Sequence, residues 1–171
     1  MDYICKIPSP VGQLTMASDG HSLTGLWLDG QKYYAATLEG QAEMRETPVF
    51  DLARKWLQVY FSGKQPDFSV PLAPRGSAFR QGVWKLLGRI PYGMVTTYGS
   101  IATELNDLKS QKHTSARAVG GAVGHNPISI LIPCHRVVGS NGNLTGYAGG
   151  IDKKIQLLRL EQVPVADLHI S

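Results

Sequence analysis

The chain has 171 residues with seventeen Lys plus Arg against thirteen Asp plus Glu, a formal charge of +4, and 43% of it is hydrophobic and 18% charged. That balance excludes a disordered chain, and the length suits one or two small domains, each with a genuine core. No apolar run approaches the roughly 20 residues of a bilayer-spanning helix, and the opening MDYICKIPSP lacks a basic-then-apolar leader, so a soluble, cytoplasmic protein without a membrane partner is expected.

The first thirty residues read as three short strands, YICKI, LTMAS and SLTGLWL, with Asp19-Gly20 and Asp29-Gly30 supplying turn residues. They predict a small antiparallel meander. Thr47-Pro48 opens a helix whose apolar face is Val49, Leu52, Ala53, Trp56, Tyr60 and Phe61, with Gly63 just past its end. The following GKQPDFSVPLAPRG holds three prolines and few helix formers, which suggests a connection and a boundary near residue 75. The expected domains are therefore 1–75, a structural lobe, and 76–171. Seven basic face eight acidic side chains in the first and ten face five in the second, so the second lobe is the candidate for an anionic partner such as nucleic acid.

Helical patterns dominate the second lobe. Ser77 caps the first, with Phe79, Val83, Leu86 and Leu87 inward. Thr97 caps the second, with Tyr98, Ile101, Ala102 and Leu105 at helical spacing. Ser115 or Thr114 caps the third, along which Ala116, Val119, Gly120 and Val123 recur. Asn126-Pro127 breaks the pattern, ISILI (128–132) reads as a short buried extended run, and Asp152 caps a last helix through Ile155, Leu158 and Glu161. The fold class expected is α+β: a small N-terminal antiparallel sheet with a helix, then a mostly helical lobe containing a helix-turn-helix.

Two features of this lobe bear on chemistry. The helix SARAVGGAVG is small enough along its length to approach a DNA backbone, with Arg117 in its first turn able to reach a phosphate or base; two core helices and a surface arginine are the plainer alternative. Eight glycines fall between residues 120 and 150, around Pro133-Cys134-His135-Arg136. A thiol is a nucleophile as thiolate, and an imidazole beside it can take its proton, although adjacent side chains often diverge. Cys5 in the first strand reads as a core filler. With no second cysteine near either thiol, no metal and no cofactor are expected.

PCHRVVG followed by NGNLTGYAGG, preceded by RAVGGAVGHNPISILI and followed by a helix ending in LLRLE, resembles the O6-alkylguanine-DNA alkyltransferase family over about Ser77 to Glu161. The resemblance implies a DNA repair protein that flips O6-alkylguanine, and also O4-alkylthymine, out of duplex DNA bound through the minor groove and acts as a monomer. Cys134 accepts the alkyl group irreversibly, His135 withdraws the thiol proton through water, and Glu161 orients the imidazole. Tyr98 serves the N3 nitrogen of guanine. Arg117 fills the vacated stack with Ser115 and Ala116 beside it, Asn126 braces the turn before the active-site strand, and Tyr147, Ala148 and Gly149 line the guanine pocket. The chain departs from the family in a longer stretch around NDLKSQKHTS, in alanine at 148 where some members have serine, and in lacking the second N-terminal cysteine of zinc-binding members. The chemistry is coherent on its own terms: a soft sulfur attacks a saturated carbon in line, needs neither oxyanion hole nor metal, and ends as a thioether that is not turned over. A cysteine hydrolase, which would turn over, and a non-catalytic damage binder, which would not need the thiol, are the competing classes.

Overall fold

A computed structural model describes residues 1–108, 113–144 and 146–169. The chain divides into two units, Met1–Arg75 with Pro127–Ser129, and Gly76–Asn126 with Ile130–Ser171. No helix among the described residues is long and apolar enough to cross a membrane.

In the first unit, β1 (Asp2–Ile7), β2 (Leu14–Ser18) and β3 (Leu23–Leu28) form the expected antiparallel meander. A fourth strand, β4 (Ala42–Met44), joins β1 in parallel, so the sheet order is β3-β2-β1-β4 and the sheet is mixed rather than antiparallel. Three residues with no buried position carry no alternation to announce such a strand. Every residue of β2 and β3 is buried. Helix α1 (Pro48–Phe61) packs on both strands through Val49, Phe50, Ala53, Leu57 and Tyr60; Leu52, Trp56 and Phe61, expected inward, are only half buried. The free edge of β3 is closed by other backbone. Leu23 and Ala73 bond across it, and the Leu26 amide donates to the Pro127 carbonyl while the Ser129 amide donates to Leu26, which draws Pro127–Ser129 into this unit. Gly25 is required in β3, because a Cβ there would lie 2.1 Å from the Trp27 ring.

The second unit is built from helices with legible caps. Ser77 accepts from the Arg80 amide at the start of α2 (Ala78–Leu87), Thr97 from Ser100 at the start of α3 (Tyr98–Leu108), and Ser115 from Ala118 at the start of α4 (Ala116–Gly124). Helices α3 and α4 pack together, and the Trp84 indole of α2 donates to the Ala122 carbonyl of α4. Asn106 clasps the Thr114 backbone from both sides, at 3.1 and 2.6 Å, and so fixes the entry to α4; residues 109–112, within the stretch expected to be long, lie outside the described residues. Thr96–Thr97 (β5) and Val137–Val138 (β6) make a two-stranded parallel ladder. Two expectations are corrected here. ISILI is buried except for half-buried Leu131, but it turns instead of extending, with only Ile128 in a bridge and Ile130 at φ 72°, because the strand pairing it would need is limited to β3's edge at that one point. Helix α5 (Ile151–Leu160) begins after Gly150 at φ 95°, a conformation suited to glycine, so Asp152 lies in its first turn and Glu161 just past its last.

Candidate active site

Cys134 opens a single 3-10 turn, Cys134–Arg136, held against α5. The turn separates neighbouring side chains in a useful way. His135 Nε2 meets Glu161 Oε2 at 2.6 Å with both side chains fully buried, and the other carboxylate oxygen accepts from Arg136 Nε at 2.8 Å and from the Gly93 amide at 3.0 Å. Three donors on one carboxylate are what a buried anion needs to offset its desolvation. Arg136 is itself fixed by the Ile90 carbonyl at 2.7 Å and lies over the Tyr92 ring. Burial holds His135 below the usual histidine range against the pull of Glu161, so the imidazole is neutral near pH 7. With the carboxylate on Nε2, its proton sits there and Nδ1 is the basic nitrogen.

Cys134 is 4% exposed, and burial pushes its thiol up. Three influences oppose burial: a hydrogen bond from the Asn126 side chain, the charge of Lys154, and backbone amides at the start of the turn. Asn126 also donates to the Ile132 carbonyl at 2.8 Å, which ties the end of α4 across the 128–132 turns to the segment before the thiol. The turn that it spans leads into the 3-10 turn of Cys134 and not into a strand. Tyr98, first residue of α3, is pushed up to about 12 by burial and by the charge of Cys134, so it keeps its proton and remains a donor throughout the neutral range. Glycines give this phenol its room: a Cβ at Gly146, where φ is 97°, would lie 3.3 Å from its oxygen, and one at Gly120 would lie 3.9 Å from its ring. Tyr147 is buried beside Gly149, whose Cβ would be 2.6 Å from its ring.

Cys134, His135, Glu161, Asn126 and Tyr98 are thus brought within one electrostatic environment, and Tyr147 with half-buried Ala148 and Gly149 follows directly on the Gly146 turn. Arg117, Ser115 and Ala116 are exposed at the start of α4. Two residues escaped the reading by sequence. Arg136 was seen only as part of PCHR, although it holds Glu161 in place. Lys154 is fully buried with Nζ bonded to the Val137 carbonyl, and its signal was present: with Leu157 and Leu158 it occupies the apolar stripe of α5, where a lysine is out of place. Among the described residues no group of three or more His, Cys, Asp and Glu is arranged to hold a metal ion.

Comparison with known proteins covers nearly the whole chain. Residues 3–74 match the family model of the 6-O-methylguanine DNA methyltransferase ribonuclease-like domain, and residues 78–163 that of the 6-O-methylguanine DNA methyltransferase DNA binding domain. The methylated-DNA--protein-cysteine methyltransferase of Haemophilus influenzae is 44% identical over 166 residues, 96% of this chain and 89% of that protein. Its counterpart in Methanosarcina barkeri is 44% identical over 162 residues, 94% of this chain and 97% of that one. Among solved structures, Mycobacterium tuberculosis OGT in complex with DNA superposes with a TM-score of 0.81 at 42% identity, covering 97% of this chain and 94% of the other.

Proposed function

The chain belongs to the 6-O-methylguanine DNA methyltransferase family, and on that ground we propose that it repairs duplex DNA by moving the alkyl group from O6 of guanine onto Cys134, once per molecule. The observation that carries this reading is the buried Glu161–His135 pair at 2.6 Å directly behind a buried thiol. The Sγ–H proton passes through water to Nδ1 of His135. The sulfur pair forms the S–C bond in line as the C–O6 bond breaks and its electrons move into the purine. Tyr98 protonates N3 as that charge arrives, so the purine leaves neutral, and the proton held by His135 restores the phenol. The product thioether offers no comparable leaving group, and the protein is spent.

Because O6 points into the base stack, the nucleotide is extruded first, at a few kcal/mol that a mispaired lesion already reduces. Helices α3 and α4 act as a helix-turn-helix in the minor groove. Arg117 fills the vacated stack; Ser115 and Ala116 lie along the backbone; Tyr147, Ala148 and Gly149 line the base pocket. The exposed, small-residue start of α4 and the basic second half of the chain support this assignment. O4-alkylthymine is a second substrate, the protein works as a monomer in the cytoplasm, and residues 1–75 support the reactive lobe 76–171. Mutual phosphate contacts make binding salt-dependent and weakly sequence-dependent. Intact mass measurement after mixing with one equivalent of O6-methylguanine duplex tests the reading: one methyl group per protein, mapped to Cys134, is expected, and Cys134→Ala binds the same duplex without gaining mass. Repeated turnover by unmodified protein would place it with the hydrolases instead.

A further inference from the structure

Past Glu161 the chain doubles back along the second unit. The Gln162 amide donates to the Arg159 carbonyl at 2.9 Å and the Val163 amide to the Leu158 carbonyl at 2.9 Å, the bond pair of a Schellman turn, with Gln162 at φ 63° where glycine is usual. A side chain resists that conformation, so packing beyond the turn has to hold it. Val163 is buried in one cluster with Val138, Leu144 and Leu158, and Val165 and Leu168 pack against the same cluster, while Pro164, Ala166 and His169 are exposed. Residues 163–169 thus lie along the surface as a strap. Its end pairs with the chain that follows the reactive turn: the His169 amide donates to the Gly142 carbonyl at 3.0 Å, and the Leu144 amide to the His169 carbonyl at 2.8 Å.

The segment 139–144 needs such a tie. The Gly139 amide closes its own turn on the Asn143 carbonyl at 2.7 Å, but Asn141 and Gly142 take φ 63° and 80°, so local preference does little to select one conformation. Two residues past Leu144 comes Gly146, whose missing Cβ makes room for the Tyr98 hydroxyl, and then Tyr147, Ala148 and Gly149. We infer that residues 163–169 are a specificity-determining strap for alkyl transfer: by holding Leu144 they fix the reach of the segment 146–149 and so limit the size of the O6 substituent that Cys134 accepts. The inference rests on the alkyl-transfer reading above, and the covalent step stays as already written. A tied wall favours a small alkyl group in two ways. The pocket is formed before the base enters, so less ordering entropy opposes binding, and a bulkier group must displace the wall against two backbone bonds and the Leu144 cluster.

The test is single-turnover transfer by the full chain at increasing concentrations of duplex carrying O6-methylguanine or the bulkier O6-benzylguanine, in wild type, His169→Pro and Leu168→Ala, with melting temperature alongside. His169→Pro removes the N–H given to Gly142, and Leu168, at φ −108° and ψ 153°, already has the backbone that a following proline requires. Its saturating methyl-transfer rate is expected to fall about tenfold with benzyl transfer not slowed, so the benzyl-to-methyl ratio rises about tenfold; Leu168→Ala should move the ratio the same way by about threefold. A tail that only stabilised the fold would slow both transfers alike, and a ratio that stays the same or falls in folded His169→Pro overturns the inference while leaving the function intact. Should neither variant fold, amide exchange in Cys134→Ala bound to each duplex decides. The Leu144 and His169 amides should exchange faster with the benzyl duplex than with the methyl one, and equal exchange overturns the proposal. Failure of wild type to accept an alkyl group from either duplex overturns the functional reading and this inference with it.

Discussion

Cys5 and Cys134 are equally hidden, each 4% exposed, yet their surroundings oppose one another. Around Cys5, on β1, burial pushes the thiol up to about 11; the nearby Arg54 favours its ionisation, but Glu46 and Asp51 oppose it, and Arg54 is already bound to Glu46 at 2.6 Å. Around Cys134, an amide, an ammonium and the start of a 3-10 turn all favour the thiolate, and a neutral imidazole stands by. Burial therefore says nothing about reactivity by itself. What separates a filler from a nucleophile is which groups accompany it out of water, and whether a base is among them.

The largest effect that would sharpen this contrast is expected from Glu161→Gln. The amide replaces an acceptor for Arg136, His135 and Gly93 with a group that must present a donor to one of them, so methyl transfer should slow by about 1000-fold and stability fall by about 3 kcal/mol. Single-turnover kinetics and denaturant unfolding read both. Tyr98→Phe comes next: it removes the proton donor but keeps the ring between Gly120 and Gly146, so the rate should fall about 100-fold with duplex affinity and melting temperature near wild type. On the other side of the comparison, Arg54→Met breaks an exposed pair beside Cys5 and should cost at most about 1 kcal/mol with no change in transfer rate.

The sequence told these two thiols apart only in part. The meander, the Ser77, Thr97 and Ser115 caps and the apolar stripes of α2 to α4 were legible, because each depends on neighbours within four residues. Strand β4, the turns across 128–132 and the inclusion of Pro127–Ser129 in the first unit were not, since backbone pairing with distant strands decides them. Glu161 illustrates the same limit at the site. By itself it is a charge at a helix end, and only the family resemblance pointed inward; the partners that bury it, Arg136 and Gly93, lie 25 and 68 residues away.

The remaining effects concern pH, and the two regions should answer at opposite ends of the scale. His135 is held below the usual histidine value, so an unfolded chain takes up a proton near pH 6.5 that the folded one refuses, and stability and transfer rate should both decline as pH falls below that point. Cys5 is raised from about 9 to about 11, so its contribution to stability is complete below pH 9 and is lost as pH rises toward 11. Comparing Cys5→Ala with wild type by thermal unfolding between those two pH values isolates that loss, while transfer kinetics stay the same.

The most direct measurement is the intact mass, with peptide mapping, of wild type, Cys5→Ala and Cys134→Ala after each meets one equivalent of O6-methylguanine duplex. Wild type and Cys5→Ala should each end with a single methyl group on the sulfur at 134, and Cys134→Ala with none. A methyl group on Cys5, or wild-type protein recovered unmodified from repaired DNA, would contradict the account.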